Sequence, residues 1–205
     1  MSMKLLDEKK IDALLITDSY NMRHLSGFRG GEGALYISRT QQVLITDSRY
    51  TEQASKESSF TVVEENSGHK RAQILRECME KEGKEHGFSM GYEDGSMLCA
   101  QFERLKAELN VTYWVPMGGS VDELRRIKTE EELEYIARAE AIGDQAFAAV
   151  LKLLKPGMTE LQVAAELEYE MKKAGAEGTS FSTIVASGLN SSMPHAIPGN
   201  KKLEE

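Results

Sequence analysis

The stretch from Gly178 to Gly199 reads GTSFSTIVASGLNSSMPHAIPG and presents one histidine, His195, between two prolines. The β-branched and aromatic residues of Phe181–Val185 predict a strand, and the Gly, Asn and Ser residues that follow predict turns. The two prolines fix φ on either side of His195, so the imidazole lies on a stiffened loop. On residue type alone, a surface or hydrogen-bonded structural histidine is the commoner outcome, although active-site histidines are often presented in this way.

Two long helices are predicted before this stretch. Residues 129–132 and 159–162 each match a capping box, in which a Thr is followed three residues later by Glu or Gln, and each predicts a helix start. Apolar residues recur at three- and four-residue spacing over 133–154 and predict one apolar face. Because residues 146–154 are apolar nearly all round, we expect that end of the first helix to be deeply buried.

The residues from Met1 to Gly119 have a different sequence pattern, in which short apolar runs alternate with amphipathic segments. This alternation predicts an α/β domain with a mixed sheet and flanking helices. Two of the predicted strands, within 34–46, are separated by a polar turn and predict a hairpin. The flexible Gly118-Gly119-Ser120 segment predicts the domain boundary, which gives domains of 1–119 and 120–205.

The composition is that of a soluble globular protein, with 40% hydrophobic and 28% charged residues among 205. A formal net charge of −8 and the lack of a basic patch argue against nucleic acid as a partner. The N-terminus lacks the apolar core of a signal peptide, and no apolar run approaches the ~18 residues of a membrane span. We therefore expect a cytoplasmic protein with no nucleic-acid or membrane partner.

Short motifs in the first domain give weaker indications. Gly27–Gly33 has the wrong spacing for a dinucleotide fingerprint and no Gly-Lys-Ser/Thr follows it, so we interpret it as a tight turn with close backbone approach. Ser67–Lys70 matches a Ser-x-x-Lys nucleophile pattern by its letters only. Asp47 and Arg49 follow a predicted strand, where they can pair and fix the loop or contact a ligand or partner.

The residues that commonly bind metals do not form a recognisable motif. Cys78 and Cys99 lack a Cys-x-x-Cys arrangement and fit buried or idle thiols. The glutamates of 130–134 and 166–170 are typical of solvated helix faces. The four histidines are isolated in the sequence: His24, His69, His86 and His195. The sequence therefore predicts no metal site within the chain.

Several segments together resemble the Xaa-Pro aminopeptidase and Xaa-Pro dipeptidase (prolidase) family of pita-bread-fold metallopeptidases. The segments similar to the creatinase-type N-terminal domain of this family are Asp12–Ile16, Asn21–Phe28, Glu32–Ala34 and Thr46–Tyr50. The segments similar to the start of its catalytic domain are Leu124–Glu132, Ser180–Phe181, Ile184–Gly188, Asn190 and Pro194–Ala196. The resemblance covers the whole chain, and the combination is more specific than any one motif.

The resemblance implies an α/β N-terminal domain followed by the first, incomplete part of an α+β pita-bread catalytic domain. It also implies a dinuclear hydrolase, in which two divalent ions, manganese or cobalt, activate a water that attacks the carbonyl before a proline. The metal ligands of the family, two aspartates, a histidine and two glutamates, are expected after Glu205, so no cofactor is expected in this chain. His195 matches the family's non-ligand histidine, which binds the substrate and the tetrahedral intermediate. Phe181 is expected to line the apolar pocket beside it.

The resulting hypothesis is the N-terminal portion of a proline-specific peptidase that acts on Xaa-Pro peptides or dipeptides, with the 205-residue chain inactive by itself. Two alternatives stay open. A creatinase-like hydrolase would use the same kind of histidine without a metal, and a non-catalytic pita-bread module would bind peptides or proteins. The residues that follow Glu205 would separate the peptidase from both alternatives.

The second domain is predicted to leave apolar helix faces without partners, which is unusual for a soluble monomer. We therefore expect oligomerisation through residues 133–197 or local disorder there. The resemblance implies a homodimer in which the N-terminal domain of one subunit borders the active site of the other. Arg49 and the Phe28–Gly33 turn are the expected interface residues.

Overall fold

The structure, a computed structural model that describes residues 2–84 and 87–205, divides the chain into two units between Ile127 and Lys128. His86, one of the four histidines noted above, lies outside the described residues. Each unit has its own buried residues and is described separately. No helix among the described residues has the length and apolar character needed to cross a membrane.

The first unit alternates helices and strands, as predicted. The Asp18 carboxylate accepts hydrogen bonds from the N–H groups of Tyr20 and Asn21 (both 3.0 Å) and so caps the second helix. The elements are α1 (Ser2–Lys9), β1 (Ala13–Ile16), α2 (Ser19–Ser26), β2 (Ala34–Ser38), β3 (Gln42–Asp47), α3 (Thr51–Glu57), β4 (Thr61–Glu65), α4 (Arg71–Lys81), β5 (Ser89–Tyr92), α5 (Cys99–Glu108), β6 (Tyr113–Pro116) and a 3₁₀ helix (Asp122–Arg125).

The six strands form one mixed sheet in the order β4-β3-β2-β1-β5-β6. Strand β2 runs antiparallel to both of its neighbours, which confirms the predicted hairpin of β2 and β3. The other three pairings are parallel. Five strands therefore point the same way, and their carboxyl ends meet at one edge of the sheet. The predicted mixed sheet with flanking helices is confirmed.

Alternate side chains of the strands point to opposite faces of the sheet, and helices cover both faces. On one face, Leu15 and Tyr36 pack with α4 and with the apolar side of α5. On the other face, Leu14 and Leu35 pack with side chains from α1, α2 and α3. Strand β1 is buried throughout because it lies in the middle of the sheet. A sheet covered on both faces explains why its strands read as continuous apolar runs.

The two units divide later in the sequence than the predicted boundary at Gly119. Val121 is only 2% exposed and belongs to the core of the first unit, and Leu124 packs against the same core. The Gly118-Gly119 turn, in which both glycines have positive φ, therefore redirects the chain within the first unit. The change to helical sequence begins after Ile127.

The second unit contains α6 (Glu130–Leu151) and α7 (Glu160–Lys173), followed by a short 3₁₀ helix (Gly188–Ser192). Both predicted capping boxes are present. The hydroxyl oxygens of Thr129 and Thr159 each accept a hydrogen bond from the N–H of the residue three positions further along. Helix α7 ends as predicted before Gly175, which has a φ of +101°. Helix α6 packs against α7, and the buried residues between them are Ala146, Val150, Val163 and Ala164.

Two predictions for the second unit are wrong in this structure. Phe181–Val185 does not form a strand, because no strand among the described residues lies beside it to complete a ladder of hydrogen bonds. The 146–154 end of the first helix is buried on one side only. Ala146 and Val150 face α7, whereas Phe147 and Leu151 are 59% and 52% exposed, since α7 covers a single face of α6.

Candidate active site

His195 lies in a turn between Pro194 and Pro198, where its side chain is exposed. The N–H of Ala196 donates to the carbonyl of Met193 (3.2 Å) and closes this turn. Ala196 itself is buried and anchors the turn to the second unit. The sequence-predicted stiff loop is therefore present, and its imidazole is accessible to a ligand.

Glu160, the first residue of α7, organises the loop that leads to His195. Its side chain is 1% exposed. Its Oε1 accepts hydrogen bonds from the N–H of Ser187 (2.8 Å), the hydroxyl of Ser187 (3.0 Å) and the amide of Asn190 (3.0 Å). Its Oε2 accepts from the same amide (3.2 Å) and, at longer range, from the N–H of Gly199 (3.4 Å). One carboxylate thus ties both ends of the His195 loop to the start of a helix.

The electrostatics of Glu160 favour its charged form. Burial opposes ionisation, but the hydrogen bonds from Ser187, Asn190 and Gly199 outweigh it and lower the pKa of Glu160 below its usual value. The position at the N-terminus of α7 also places the negative charge at the positive end of the helix dipole. Glu160 is therefore an ionised anchor at neutral pH.

The segment that follows His195 is fixed to the same helix start by main-chain hydrogen bonds. The N–H of Glu160 donates to the carbonyl of Lys201 (3.0 Å), and the N–H of Leu161 donates to the carbonyl of Gly199 (3.0 Å). An isolated antiparallel bridge joins Thr159 to Lys202. The ammonium of Lys201 also donates to the carbonyl of Ser187 (2.5 Å). The loop is thus held at both ends by the same few residues.

Phe181 is 69% exposed, so it is not a core phenylalanine of the second unit. It lies in the irregular segment before the His195 loop, and the side chains of Phe181 and His195 are both exposed. Thr183 in the same segment donates from its hydroxyl to Glu168 of α7 (2.6 Å). The segment therefore follows α7 without burying its aromatic side chain.

The residues described here do not fit a metal centre. Over residues 2–84 and 87–205, no three side chains of His, Cys, Asp or Glu converge in a way that could hold an ion. Cys78 is buried and Cys99 is exposed, and neither is in a disulfide. Burial raises the pKa of the Cys78 thiol, which fits the predicted idle role.

In the first unit, the predicted pairing of Asp47 and Arg49 is present. The Arg49 guanidinium donates to Asp47 (2.7 Å) and also to Glu32 (2.5 Å), so it joins the end of β3 to the glycine-rich turn. In that turn, a Cβ on Gly33 would lie 2.5 Å from the carbonyl oxygen of Ile45. The interpretation of Gly27–Gly33 as a turn with close backbone approach is therefore confirmed.

Glu93 is a second buried glutamate, at the carboxyl edge of the sheet just after β5. It is 6% exposed and accepts from the N–H groups of Thr17 (2.6 Å) and Asp18 (2.8 Å) and from the amide of Asn21 (2.7 Å). The same Asn21 amide donates to Asp122 (2.9 Å) in the 3₁₀ helix. Burial and the nearby Asp18 charge raise the pKa of Glu93, although its hydrogen bonds oppose the shift.

Sequence reasoning found His195 but neither glutamate. In the sequence, Glu160 is only an acidic residue in a first helical turn, which is common at helix starts for dipole reasons. Glu93 follows a predicted strand, and no acidic or basic pattern marks it. Both have partners at distant positions, and the separation of Glu160 from Ser187 is 27 residues. Only the fold brings these groups together.

Comparison with family models divides the chain in the same way as the structure. Residues 3–127 match the model described as the creatinase/prolidase N-terminal domain. Residues 134–205 match the model described as metallopeptidase family M24. The two matches follow one another along the chain and cover the first and second units.

Known proteins are similar to the chain over nearly its whole length. An uncharacterized peptidase of Bacillus subtilis (strain 168), YqhT, is 38% identical over 195 residues, which are 95% of this chain and 54% of that protein. A solved Xaa-Pro dipeptidase from Bacillus anthracis superposes with a TM-score of 0.88 at 33% identity, covering 98% of this chain and 55% of that one. An X-Pro aminopeptidase from Thermotoga maritima MSB8 gives a TM-score of 0.86 at 34% identity, covering 99% and 56%. The chain spans about half the length of these relatives.

Proposed function

We propose, from the premise that the chain belongs to the creatinase/prolidase N-terminal domain family, that it supplies the N-terminal domain and the start of the catalytic domain of a proline-specific peptidase. The activity would be hydrolysis of Xaa-Pro bonds in dipeptides or longer peptides. The main support for this proposal is that the two family models match the chain one after the other. They match residues 3–127 and 134–205, which correspond to the two units. Two solved relatives, an Xaa-Pro dipeptidase and an X-Pro aminopeptidase, support this activity.

In this proposal His195 binds the substrate. Its imidazole is exposed on a turn stiffened by two prolines, and the Glu160 carboxylate holds the preceding Ser187. An imidazole positioned in this way can donate a hydrogen bond to the negative charge that develops on the carbonyl oxygen, or transfer a proton. Phe181, exposed in the neighbouring segment, would supply an apolar contact to the proline or to the residue before it.

Two divalent ions, manganese or cobalt, are part of the same proposal, and when bound they would activate the attacking water. The family resemblance implies that the metal ligands lie in the part of the relatives' length that this chain does not span. The 205-residue chain should then be inactive alone. Its part in the reaction is to bind and orient the peptide through the His195 loop.

The test compares the chain with a protein in which the same residues are followed by the remainder of an M24 domain. With manganese added, the chain alone should not hydrolyse Ala-Pro or Gly-Pro, whereas the extended protein should. Turnover by the chain alone contradicts the predicted inactivity, and failure of the extended protein on every Xaa-Pro substrate contradicts the function. Metal-independent hydrolysis of creatine by the extended protein would establish the creatinase-like alternative instead.

The role of His195 is tested within the extended protein. His195→Ala should lower kcat by roughly 10²–10³-fold, the usual cost of removing a donor to a developing oxyanion. The matched control is His69→Ala in the first unit, where the imidazole contacts Glu77 (3.0 Å) far in sequence from the loop. Equal kcat values for the His195→Ala variant and the parent would contradict the assignment.

Three finer points stay predictions. They are the homodimer with Arg49 and the Phe28–Gly33 turn at its interface, the choice between manganese and cobalt, and the cytoplasmic location. Arg49 is exposed although it is paired with Glu32 and Asp47, so it can reach another subunit. Sedimentation of the parent and of the Arg49→Ala variant would test the interface, with a weaker dimer expected for the variant.

A further inference from the structure

A cleft of about 530 Å³ opens at the carboxyl edge of the sheet in the first unit. It lies between the start of α4 and one side of α5, next to the ends of β1, β3 and β4. In open α/β sheets, small molecules bind in crevices outside the carboxyl ends of the strands. The volume also falls in the range of sites that hold small ligands. All of the lining residues of the cleft come from the first unit, whereas the His195 loop belongs to the second.

The lining combines an apolar floor with charged groups at the rim. Leu15 and Leu105 are among the apolar side chains of the floor. Two of the rim carboxylates are already in ion pairs, because Glu65 pairs with Arg71 (2.6 Å) and Asp47 pairs with Arg49 (2.7 Å), which it shares with Glu32. These ion pairs leave the remaining charges of the rim to determine which ligand fits.

The remaining charged groups at the rim are Lys70, Arg104 and Glu108. Within residues 2–84 and 87–205, Lys70 and Arg104 form no ion pair with a carboxylate within 4 Å. The lining as a whole has three basic and three acidic side chains and is neutral, so Lys70 and Arg104 are the cations that remain without an ion pair for a singly charged ligand. The cleft thus presents two cations without an ion pair in a chain of formal charge −8.

Main-chain and hydroxyl groups next to these cations also lack partners. Lys70 is the N-cap residue of α4 and gives no side-chain hydrogen bond to the helix, so the N–H groups of Arg71 and Ala72 have no acceptor among the described residues. Thr17, at the end of β1, lines the cleft, and its buried hydroxyl oxygen has no hydrogen-bond partner there. A buried polar atom without a partner is uncommon and calls for a ligand or water.

We propose that this cleft binds a small monocarboxylate with an apolar body. The carboxylate would lie at the start of α4, where Lys70, Arg104 and the free N–H groups of the first turn can donate to it. The apolar body would lie on the floor formed by Leu15, Leu105 and their neighbours. This site is independent of the proposed peptidase activity and of any metal.

The experiment uses the full 205-residue chain labelled with ¹⁵N and titrated with hexanoate. Amide signals of Ala72, Leu105 and neighbouring residues should shift, with a dissociation constant on the order of 1 mM for a ligand of this size. Hexan-1-ol, which has the apolar body without the charge, should bind at least tenfold more weakly, and so should inorganic phosphate. The proposal would be overturned if hexan-1-ol or phosphate bound as tightly as hexanoate. It would also be overturned if the shifted signals lay only outside the cleft, or if no signal shifted at tens of millimolar hexanoate.

Substitutions of the lining residues test whether hexanoate binds in the cleft. Lys70→Gln and Arg104→Gln should each weaken hexanoate binding about tenfold, the usual effect of losing a charge-assisted hydrogen bond. Lys81→Gln is the matched control, because it makes the same change at the opposite end of α4. Equal effects of Lys70→Gln and Lys81→Gln would contradict the site. Spectra of the free variants that overlay that of the parent will show that each variant is folded.

Discussion

Glu93 in the first unit and Glu160 in the second are both buried glutamates that accept N–H groups from a loop. Their pKa values nevertheless move in opposite directions, with that of Glu93 raised and that of Glu160 lowered. Exposure alone does not explain this, because Glu160 is the less exposed of the two, at 1% against 6%. The explanation lies in the surroundings of each carboxylate.

Glu93 lies between the sheet and α2, so burial is the largest influence on its pKa, and the Asp18 carboxylate adds repulsion. Glu160 is covered mainly by the loop that it holds, and that loop supplies two N–H groups, a hydroxyl and an amide. The donors therefore outweigh burial at Glu160 but not at Glu93. Two glutamates with the same structural task thus differ in the charge state that their environment favours.

The largest effect is expected from Glu160→Ala. This change leaves Ser187 and Asn190 without their acceptor, so the His195 loop should open more often. Hydrogen exchange at the Ser187 amide should accelerate roughly 10- to 100-fold. Glu166→Ala, on the same helix but outside the hydrogen-bond network, is the control. Unchanged exchange at Ser187 in the Glu160 variant would show that the carboxylate does not hold the loop.

Glutamine substitutions sharpen the comparison because they remove the charge and keep the shape. Burial already disfavours the charged form of Glu93, so Glu93→Gln should lower the free energy of unfolding only by the cost of a buried N–H donor that loses its acceptor, about 1–3 kcal/mol. Glu160→Gln should accelerate exchange at Ser187 by about tenfold, since charged acceptors form the stronger hydrogen bonds. Chemical denaturation and hydrogen exchange measure the two effects. If Glu93→Gln lowered the free energy of unfolding more than Glu160→Gln did, our interpretation would be wrong.

The two carboxylates should also respond differently to pH. The pKa of Glu160 is lowered, so its contribution to stability is present above the usual value of 4.5 and is lost as the pH falls through the folded-state pKa. The pKa of Glu93 is raised, so its contribution is largest when it is protonated and is lost as the pH rises through that pKa. Carbon-13 NMR of the two carboxyl groups should give midpoints on opposite sides of 4.5. Midpoints on the same side would contradict the comparison.

The smallest effect is expected from Asp18→Asn. Asparagine can still cap α2, but it removes the charge that repels Glu93. The pKa of Glu93 should therefore fall toward its usual value while the thermal midpoint hardly changes. Asp144→Asn, on α6 in the second unit, should leave the pKa of Glu93 unaltered. A larger loss of stability than that of the Asp144 variant would mean that Asp18 does more than cap the helix and repel Glu93.

Much of the first unit could be predicted from the sequence, because its features are local. Alternating apolar and amphipathic segments predicted the mixed sheet, and the polar turn within 34–46 predicted a hairpin that the structure confirms. The two capping boxes of the second unit could also be recognised from the sequence, and the structure confirms both. Each of these features depends on residues that are close together in the chain.

The remaining features depend on what lies beside a segment. Phe181–Val185 has the composition of a strand, yet a strand also needs a neighbour, and none of the described strands lies there. The apolar end of α6 was predicted to be buried, but α7 covers one side of it only. Glu160 gave no local signal, because its partners lie 27, 30 and 39 residues further along. The position of His195 was predictable, whereas the residue that holds its loop was not.

The ties between the start of α7 and Gly199–Leu203 have a consequence for the order of folding. Helix α7 can form from local contacts, but these ties close a long loop, and loop closure has an entropic cost that contacts at its ends must offset. Segments that order late generally also open first under native conditions. We therefore expect the His195 segment to be the last part of the second unit to fold and the first to open. If the His195 segment binds a peptide as proposed, the lifetime of its closed state would limit how long that peptide is held.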